Sequence, residues 1–343
     1  MGEFLSTPNK EKDSHDKETS LLKYGVCGMQ GWRKRMEDAH ITAINLGDNN
    51  KLHIFGVFDG HGGKEVAQYV SKHFAEEFIK SDAYKNKDIK GALKATFIKM
   101  DEIMETPEGK EEIKVYARKS KEEDEQNDKK QPQNPQAQML SMLMGSKNPE
   151  SDEISMRTGC TACVCVIDEE NNKIYFGNAG DSRVVMCSKG TAIPKSTDHK
   201  PELEKEKQRI YKADGWIVEG RVKGNLNLTR GLGDLEFKQN KKLTPEEQII
   251  TADPDVEVEE LNDDVDFIIV GCDGIWDCLT NQEACDFVKE RLAKDPNRKL
   301  SGIIEEMKDS IVATDINNEK GIGCANMTCM VILCKHNVTD KTK

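Results

Sequence analysis

The residues best suited to chemistry lie in the stretch 53–63, HIFGVFDGHGG. An apolar run, Ile54 to Phe58, stops abruptly at Asp59, Gly60 and His61. Val57 and Phe58 read as the end of a buried strand. Gly60, Gly62 and Gly63 permit tight backbone geometry and close approach of a ligand. Asp59 and His61 therefore stand where a strand delivers polar groups to a cleft. A plain strand-to-helix turn carries the same Asp-Gly signal, so the stretch decides nothing by itself.

The device recurs. DFIIVGCDGIWD (266–277) is a second apolar run, Phe267 to Val270, closed by Cys272-Asp273-Gly274. RKRMEDAH (33–40) carries Glu37 and Asp38, and GNAGDSR (177–183) carries Asp181. If these acids converge, their charges repel and demand cations. Carboxylates, carbonyls and water suit hard divalent ions such as Mg2+ or Mn2+. Two such ions about 3.5–4 Å apart can share a water and lower its pKa, giving a hydroxide nucleophile without Ser or Cys.

Such a pocket needs a scaffold, and 343 residues are ample for a buried core. The formal net charge of -12 argues against nucleic acid as a partner, because phosphate backbones select Lys and Arg. Eleven cysteines, an odd number, fall mostly in strand-like runs and read as reduced, buried thiols of a cytosolic or nuclear protein. Cys160 and Cys163 make a C-x-x-C, but no second pair at zinc spacing follows. Residues 1–20 are polar, with no secretory leader, and no apolar run approaches membrane-span length. Met1-Gly2-Glu3-Phe4-Leu5-Ser6 fits the myristoylation pattern M-G-x-x-x-S. One acyl chain on Gly2 would give only weak membrane attachment.

In chain order, residues 1–22 are expected as a flexible N-terminal arm. Residues 23–45 read as two strands joined by a turn near Gly28–Gly31, the second with a polar face turned inward. A helix follows Gly63, with Val66, Val70, Phe74 and Phe78 as its core stripe. A second spans about 88–104. Residues 106–156 are low-complexity and charged, expected as a mobile insertion, with MLSMLM (139–144) either a partner-binding stub or loop. Strands resume at 161–167 and 173–187. Pro201 suits a helix N1 position and Gly215 a C-terminal stop. NLTRGLGD (227–234) is a Gly-rich loop. Helices are expected near 281–293 and 300–313, a last strand at 327–334, and a polar tail at 336–343. Strands rarely alternate one-for-one with helices. The expected class is therefore α+β, a four-layer α/β/β/α sandwich of two mainly antiparallel sheets flanked by helix pairs.

The runs RMEDAH, VFDGHGG, GCTA, NAGDSR, DHKP, LTRGLGD, DPDV, GCDGIWD and NMT, in this order, resemble the metal-dependent protein serine/threonine phosphatases of type 2C. The resemblance spans about 23–334, so 23–335 is expected as one catalytic domain. It implies two Mg2+ or Mn2+ ions and a weaker third. Asp59 would bridge the pair, Glu37 and the Gly60 carbonyl would serve one ion, and Asp273 the other. Asp38 would hold bound waters. Asp181 and Asp277, with Asp273, match the third site. Arg33 would clamp the substrate phosphate, and His61 would protonate the leaving serine or threonine oxygen as general acid. The stretch from about Lys195 to Gly233 resembles the flap that shapes substrate access. Residue by residue, simpler readings stand: Arg33 as a solvated cation, His61 as a helix cap, Asp181 as a turn residue.

One position departs from the pattern. The family motif Asp-Asn-Met-Thr is here Ala325-Asn326-Met327-Thr328. A methyl group cannot coordinate, so the ion held by Asp273 should bind more weakly. Ala325 also favours a rival reading, a pseudophosphatase that binds phosphoproteins without turnover. A third reading is a hydrolase of small phosphoesters. The expected partners are phosphorylated proteins and the expected state a monomer. The expected location is cytoplasmic, with nuclear or peripheral-membrane alternatives.

Overall fold

The computed structural model describes residues 4–130, 154–316 and 321–334. Two antiparallel sheets lie face to face. The five-stranded sheet runs β14 (Asp255–Glu260), β8 (Lys173–Ala179), β7 (Ala162–Asp168), β4 (Leu52–Phe58), β3 (Ala39–Leu46). The six-stranded sheet runs β1 (Phe4–Glu18), β2 (Leu22–Arg33), β16 (Met327–Cys334), β15 (Val265–Gly271), β9 (Arg183–Ser188), β10 (Thr191–Pro194).

Central strands are buried on both faces, which is why they read as apolar runs rather than alternations. On β4, Ile54 and Phe58 face the helix layer while Phe55 and Val57 face the other sheet. On β7, Val164 and Val166 divide from Cys163 and Cys165 in the same way. On β15, Phe267 and Ile269 face helices while Ile268 and Val270 point between the sheets. Each such side chain contributes about 1.5–3 kcal/mol when fully buried.

Helices α1 (Glu65–Lys80) and α3 (Ile89–Met104) cover the five-stranded sheet, joined by the short α2 (Asp82–Lys85). Val66, Val70, Phe74 and Phe78 form the buried stripe of α1, and the Phe74 ring meets Phe97 of α3 edge-on at 5.4 Å. Asp88 caps α3 by accepting from the Gly91 N–H at 2.9 Å. Helix α4 (Pro107–Lys130) adds Ile113 and Tyr116 to the same layer, and α5 (Ile154–Arg157) follows. Beyond α6 (Glu204–Lys212) and the one-turn α7 (Asp273–Trp276), helices α8 (Asn281–Lys294) and α9 (Leu300–Ile311) cover the six-stranded sheet. Thr280 and Glu283 close a capping box at the start of α8, the T-x-x-E signature. The layering is α/β/β/α.

Several expectations give way. Residues 4–18, placed in the flexible arm, form edge strand β1, paired with β2 from Phe4 opposite Arg33 to Glu18 opposite Lys23. Beyond Phe4, Leu5 and Pro8 its side chains are polar on both faces, so no period-2 pattern marks it, and its charges suit an exposed edge. The chain does not turn at Gly28–Gly31: β2 runs unbroken to Arg33, residues 34–38 form the reversal, and the inward polar face begins only in β3, where His40 and Thr42 meet His15 of β1. Gly31 serves a different purpose. Its φ is +67°, and a Cβ there would come within 2.8 Å of the Ala325 carbonyl. The start of the insertion, expected as mobile, is helix α4, rich in Glu, Lys and Arg with good helix propensity. Pro201 lies in a turn ahead of α6 rather than at its first position. Gly2, MLSMLM and the tail lie outside the described residues.

The register sends the acids out of one end of the sandwich. Ala39 pairs with Phe58, and Ala162 with Ala179, so β3, β4, β7 and β8 finish level. Gly271 pairs with both Arg183 and Cys329. Asp38, Asp59, Asp181 and Asp273 each lie one to two residues beyond these pairs.

Candidate active site

At that end opens a cleft of about 1090 Å³. Glu37, Asp59, Gly60, His61, Asp181 and Asp273 line it, with Arg33, Lys34 and Arg35 along one side and Arg221 and Asn225–Leu228 along another. Residues from widely separated segments thus meet in one place. Arg33 is exposed at the rim beside Phe4, its partner across β1 and β2.

The acids are held by backbone and hydroxyl contacts. The Asp59 N–H donates to Thr161 Oγ1 at 3.2 Å, and the Thr161 N–H returns to the Asp59 carbonyl at 2.9 Å. Glu37 is fixed through its N–H, which donates to Asn326 Oδ1 at 2.9 Å. Asn326 Nδ2 in turn donates to the Gln30 and Arg35 carbonyls at 2.8 and 2.9 Å. The Asn of the NMT motif is therefore the tie that shapes the 34–38 reversal. At Gly60 a Cβ would fall 2.3 Å from the Glu37 carbonyl, so only glycine lets these segments close.

The acids strain against one another. Burial pushes the Asp59 carboxyl well above its ordinary value, and Asp273, Asp38 and Asp181 add repulsion. Asp273 is pushed up to about 7 by burial and by Asp181 and Asp277. Burial, with repulsion from Glu65, raises Glu37 against the pull of Arg35. Asp38 lies under the cleft rather than on its wall. Its carboxylate comes within 4.8 Å of Asp59 and the Cys272 thiol, and both its oxygens are buried without a hydrogen-bond partner. Buried, unpartnered carboxylate oxygens beside a repelling set of acids fit divalent cations with oxygen ligands. Asp59, Glu37 and Asp273 face the cleft and could hold such ions, whereas Asp38 does not line it. Cys272 is a different case: burial drives its thiol far up, so it stays protonated and is a poor ligand for a hard ion.

The two further residues expected at a third site differ in their surroundings. Asp181 forms an ion pair with Lys200, of the DHKP run. Asp277 does not line the cleft. It sits one turn behind Asp273, its N–H on the Asp273 carbonyl at 2.8 Å, with Lys200 and Arg183 near its carboxyl. Ala325 lines the cleft alongside Asp273.

A sequence model of protein phosphatase 2C matches residues 22–116 and 109–320. A probable protein phosphatase 2C of Arabidopsis thaliana is 43% identical over 341 residues, covering 98% of this chain and 93% of the relative. The chain belongs to the protein phosphatase 2C family. A relative of the same description from Paramecium tetraurelia is 41% identical over 337 residues, covering 98% of this chain and all of its own. Among solved structures, a phosphatase from Toxoplasma gondii superposes with a TM-score of 0.66 at 20% identity, over 94% of this chain and 96% of that one. A second, serine-threonine phosphatase 2C from Toxoplasma gondii, gives 0.63 at 16% identity over 97% and 98%. These two show the shared sandwich. As a member of this family, the chain is a protein phosphatase, a metal-dependent hydrolase.

The phosphatase cleft holds one contact that no motif spacing announced. His61 Nε2 lies 2.7 Å from Asp234 Oδ2, a side chain almost wholly buried. Burial pulls His61 down, but Asp234 outweighs it and the ring is held above its ordinary value. His61 is no helix cap: α1 begins after Lys64, with no side-chain cap. Arg230, in the same Gly-rich loop, is also structural. It is buried against Glu206 and reaches Asp255 at 3.1 Å. The flap packs Ile210 and Val222 against Phe237 and Ile250, which follow it in the chain. Its hairpin, β11 (Ile217–Val218) and β12 (Arg221–Val222), overhangs the cleft through Arg221.

Proposed function

We propose that this phosphatase hydrolyses phosphoserine and phosphothreonine in proteins, with Glu37, Asp59, the Gly60 carbonyl and Asp273 holding two Mg2+ or Mn2+ ions. The observation that carries the reading is the convergence of Glu37, Asp59, Asp181 and Asp273 with Arg33 and His61 on one cleft. Bound there, the ions would lower the pKa of a shared water and so supply the nucleophile. Arg33 offers the phosphate a planar fork of donors from the open rim. His61 faces the same space and gives its proton to the departing serine or threonine oxygen. Asp38 orients water beneath Asp59.

Ala325 leaves the Asp273 side one carboxylate short, so ion binding there is weaker while the rest of the machinery stands. Intact Arg33, Glu37, Asp59, His61 and Asp273 favour turnover over a pure phosphoprotein-binding role. The test is phosphate release from phosphoserine and phosphothreonine peptides at rising Mn2+, with Asp59→Asn as the control. Turnover that needs Mn2+ and vanishes in the variant supports the reading. Peptide binding without turnover at saturating Mn2+ sinks it in favour of the pseudophosphatase. A kcat/KM higher for small phosphoesters than for phosphopeptides would replace the protein substrate.

A further inference from the structure

The proposed proton donor needs a fixed ring, and the fold builds a support for it from distant segments. A three-stranded patch sets β6 (Gly159–Cys160) between β5 (Gly60–His61) and β13 (Leu232–Gly233). His61 and Gly233 both pair with Gly159, one from each side. The next residue, Asp234, then turns its carboxylate across Gly159 onto His61 Nε2 at 2.7 Å. Any side chain at 159 would block this, because a Cβ there would fall 2.3 Å from Asp234 Oδ2 and 2.7 Å from His61 Nε2.

Asp234 is held in place at a cost. Its φ of 49° and ψ of 36° are left-handed, a conformation that Asp tolerates better than most but that still stores strain. Its N–H donates to the Thr158 carbonyl at 2.9 Å. Asp101 of α3 anchors the loop from the other side. It accepts from the Gly233 N–H at 2.8 Å and pairs with Lys238 Nζ at 2.5 Å, which also reaches the Gly231 carbonyl at 2.7 Å. Helix, loop and small sheet together fix one carboxylate on one ring nitrogen.

We propose that Asp234 is the positioning residue of His61, selecting the ring orientation in which Nδ1 carries the proton to the leaving oxygen. This rests on His61 acting as general acid. When the P–O bond to serine breaks, its electron pair stays on the serine oxygen, which takes the Nδ1 proton. The Nε2 proton remains on the contact to Asp234, and His61 is left neutral. Asp234 never touches the substrate. It acts as the buried partner that keeps an imidazole aimed.

The test compares leaving groups, since general acid catalysis matters for an alkyl oxygen and little for p-nitrophenolate. The readout is the ratio of kcat/KM on a phosphoserine peptide to that on p-nitrophenyl phosphate, for wild type, Asp234→Asn, His61→Gln and the double variant. Asn accepts the left-handed backbone, and Mn2+ binding by calorimetry with thermal unfolding reports whether the fold and ion site survive. A general acid is worth about 100- to 10,000-fold, so Asp234→Asn should lower the ratio about tenfold or more. Adding it to His61→Gln should lower the ratio little further. Gly159→Ala, which wedges the pair apart from outside the cleft, should reproduce the change in ratio. If His61→Gln leaves the ratio unaltered, the general-acid reading fails. If His61→Gln lowers it while folded, Mn2+-binding Asp234→Asn does not, the positioning role is overturned and the general acid survives. Equal losses on both substrates would make Asp234 merely structural.

Discussion

Restoring a carboxylate at position 325 gives a direct measure of what the cleft lacks. Ala325 is half-buried on the wall beside Asp273, so Ala325→Asp places an acid facing the cleft without displacing core atoms. Two unit charges 4 Å apart at an effective dielectric of about 20 attract by about 4 kcal/mol, and a divalent ion doubles the gross gain. Against this stand the desolvation of the new carboxylate and its repulsion by Asp59, Asp181 and Asp273, a set already strained by its own charge. A net gain of about 1.5–3 kcal/mol remains, a ten- to hundredfold tighter Kd for the more weakly held ion. Without ions the sign reverses, because the extra acid adds only repulsion. Calorimetric titration with Mn2+ should show one of the binding events tighten in Ala325→Asp, and thermal unfolding should show a lower Tm than wild type in EDTA and a higher one in saturating Mn2+. If neither the Mn2+ isotherm nor this crossover of Tm values appears, residue 325 does not face an ion and the assignment of Asp273 fails with it.

Three further outcomes follow from other parts of the molecule. Burial raises Glu206, but Arg230 and Arg209 outweigh it and hold its carboxyl at about 2 against an ordinary 4.5, a depressed value. Its contribution, on the order of 3 kcal/mol, is present above about pH 4.5 and fades as pH falls toward 2. The stability gap between wild type and Glu206→Gln in urea unfolding should therefore narrow from pH 7 to pH 3, and a constant gap would contradict the network. Phe97, wholly buried against Phe74, should cost about 3–5 kcal/mol when cut to Ala, read as a lower urea midpoint with Mn2+ held saturating. Arg33→Ala should lower kcat/KM on phosphopeptides about ten- to a hundredfold, as expected for lost charge-assisted hydrogen bonds, with Arg33→Lys recovering only part; full recovery by Lys would refute bidentate phosphate binding.

Much of the fold was legible because its central strands are buried on both faces. The apolar runs ending at Phe58 and Val270 announced themselves, as did the four-residue stripe of α1. Strand β1 did not, since an edge strand is held by main-chain pairing and its side chains carry no alternation. The turn expected at Gly28–Gly31 misread what the glycines are for: Gly31 admits the Ala325 carbonyl rather than reversing the chain. Within the cleft, the acids were legible as strand ends closed by Asp-Gly. Asp234 was not, because its meaning depends on Gly159 bringing β5 and β13 together, a pairing of three remote dipeptides with no local signature. Asp277 was named with the ligands, yet it does not line the cleft, and spacing along the chain cannot distinguish a residue behind a site from one facing it.

Neighbouring residues in the last motif show why the departure at 325 leaves the architecture intact. Asn326 spends its whole side chain on the fold, accepting from Glu37 N–H and donating to the Gln30 and Arg35 carbonyls. Losing it would leave three backbone groups without these partners and release the loop that aims Glu37. Ala325 contributes to the fold through its backbone, whose carbonyl packs against Gly31, and any residue supplies that carbonyl. A carboxylate at 325 therefore adds charge to the cleft but no tie to the scaffold, and its absence costs nothing in packing. The chain can lack that acid and keep every strand register that brings Asp59 and Asp273 to one end of the sandwich; on the proposed reading, only the hold on ions there changes. That separation of scaffold from charge is why this phosphatase keeps a family fold around a cleft with one acid fewer.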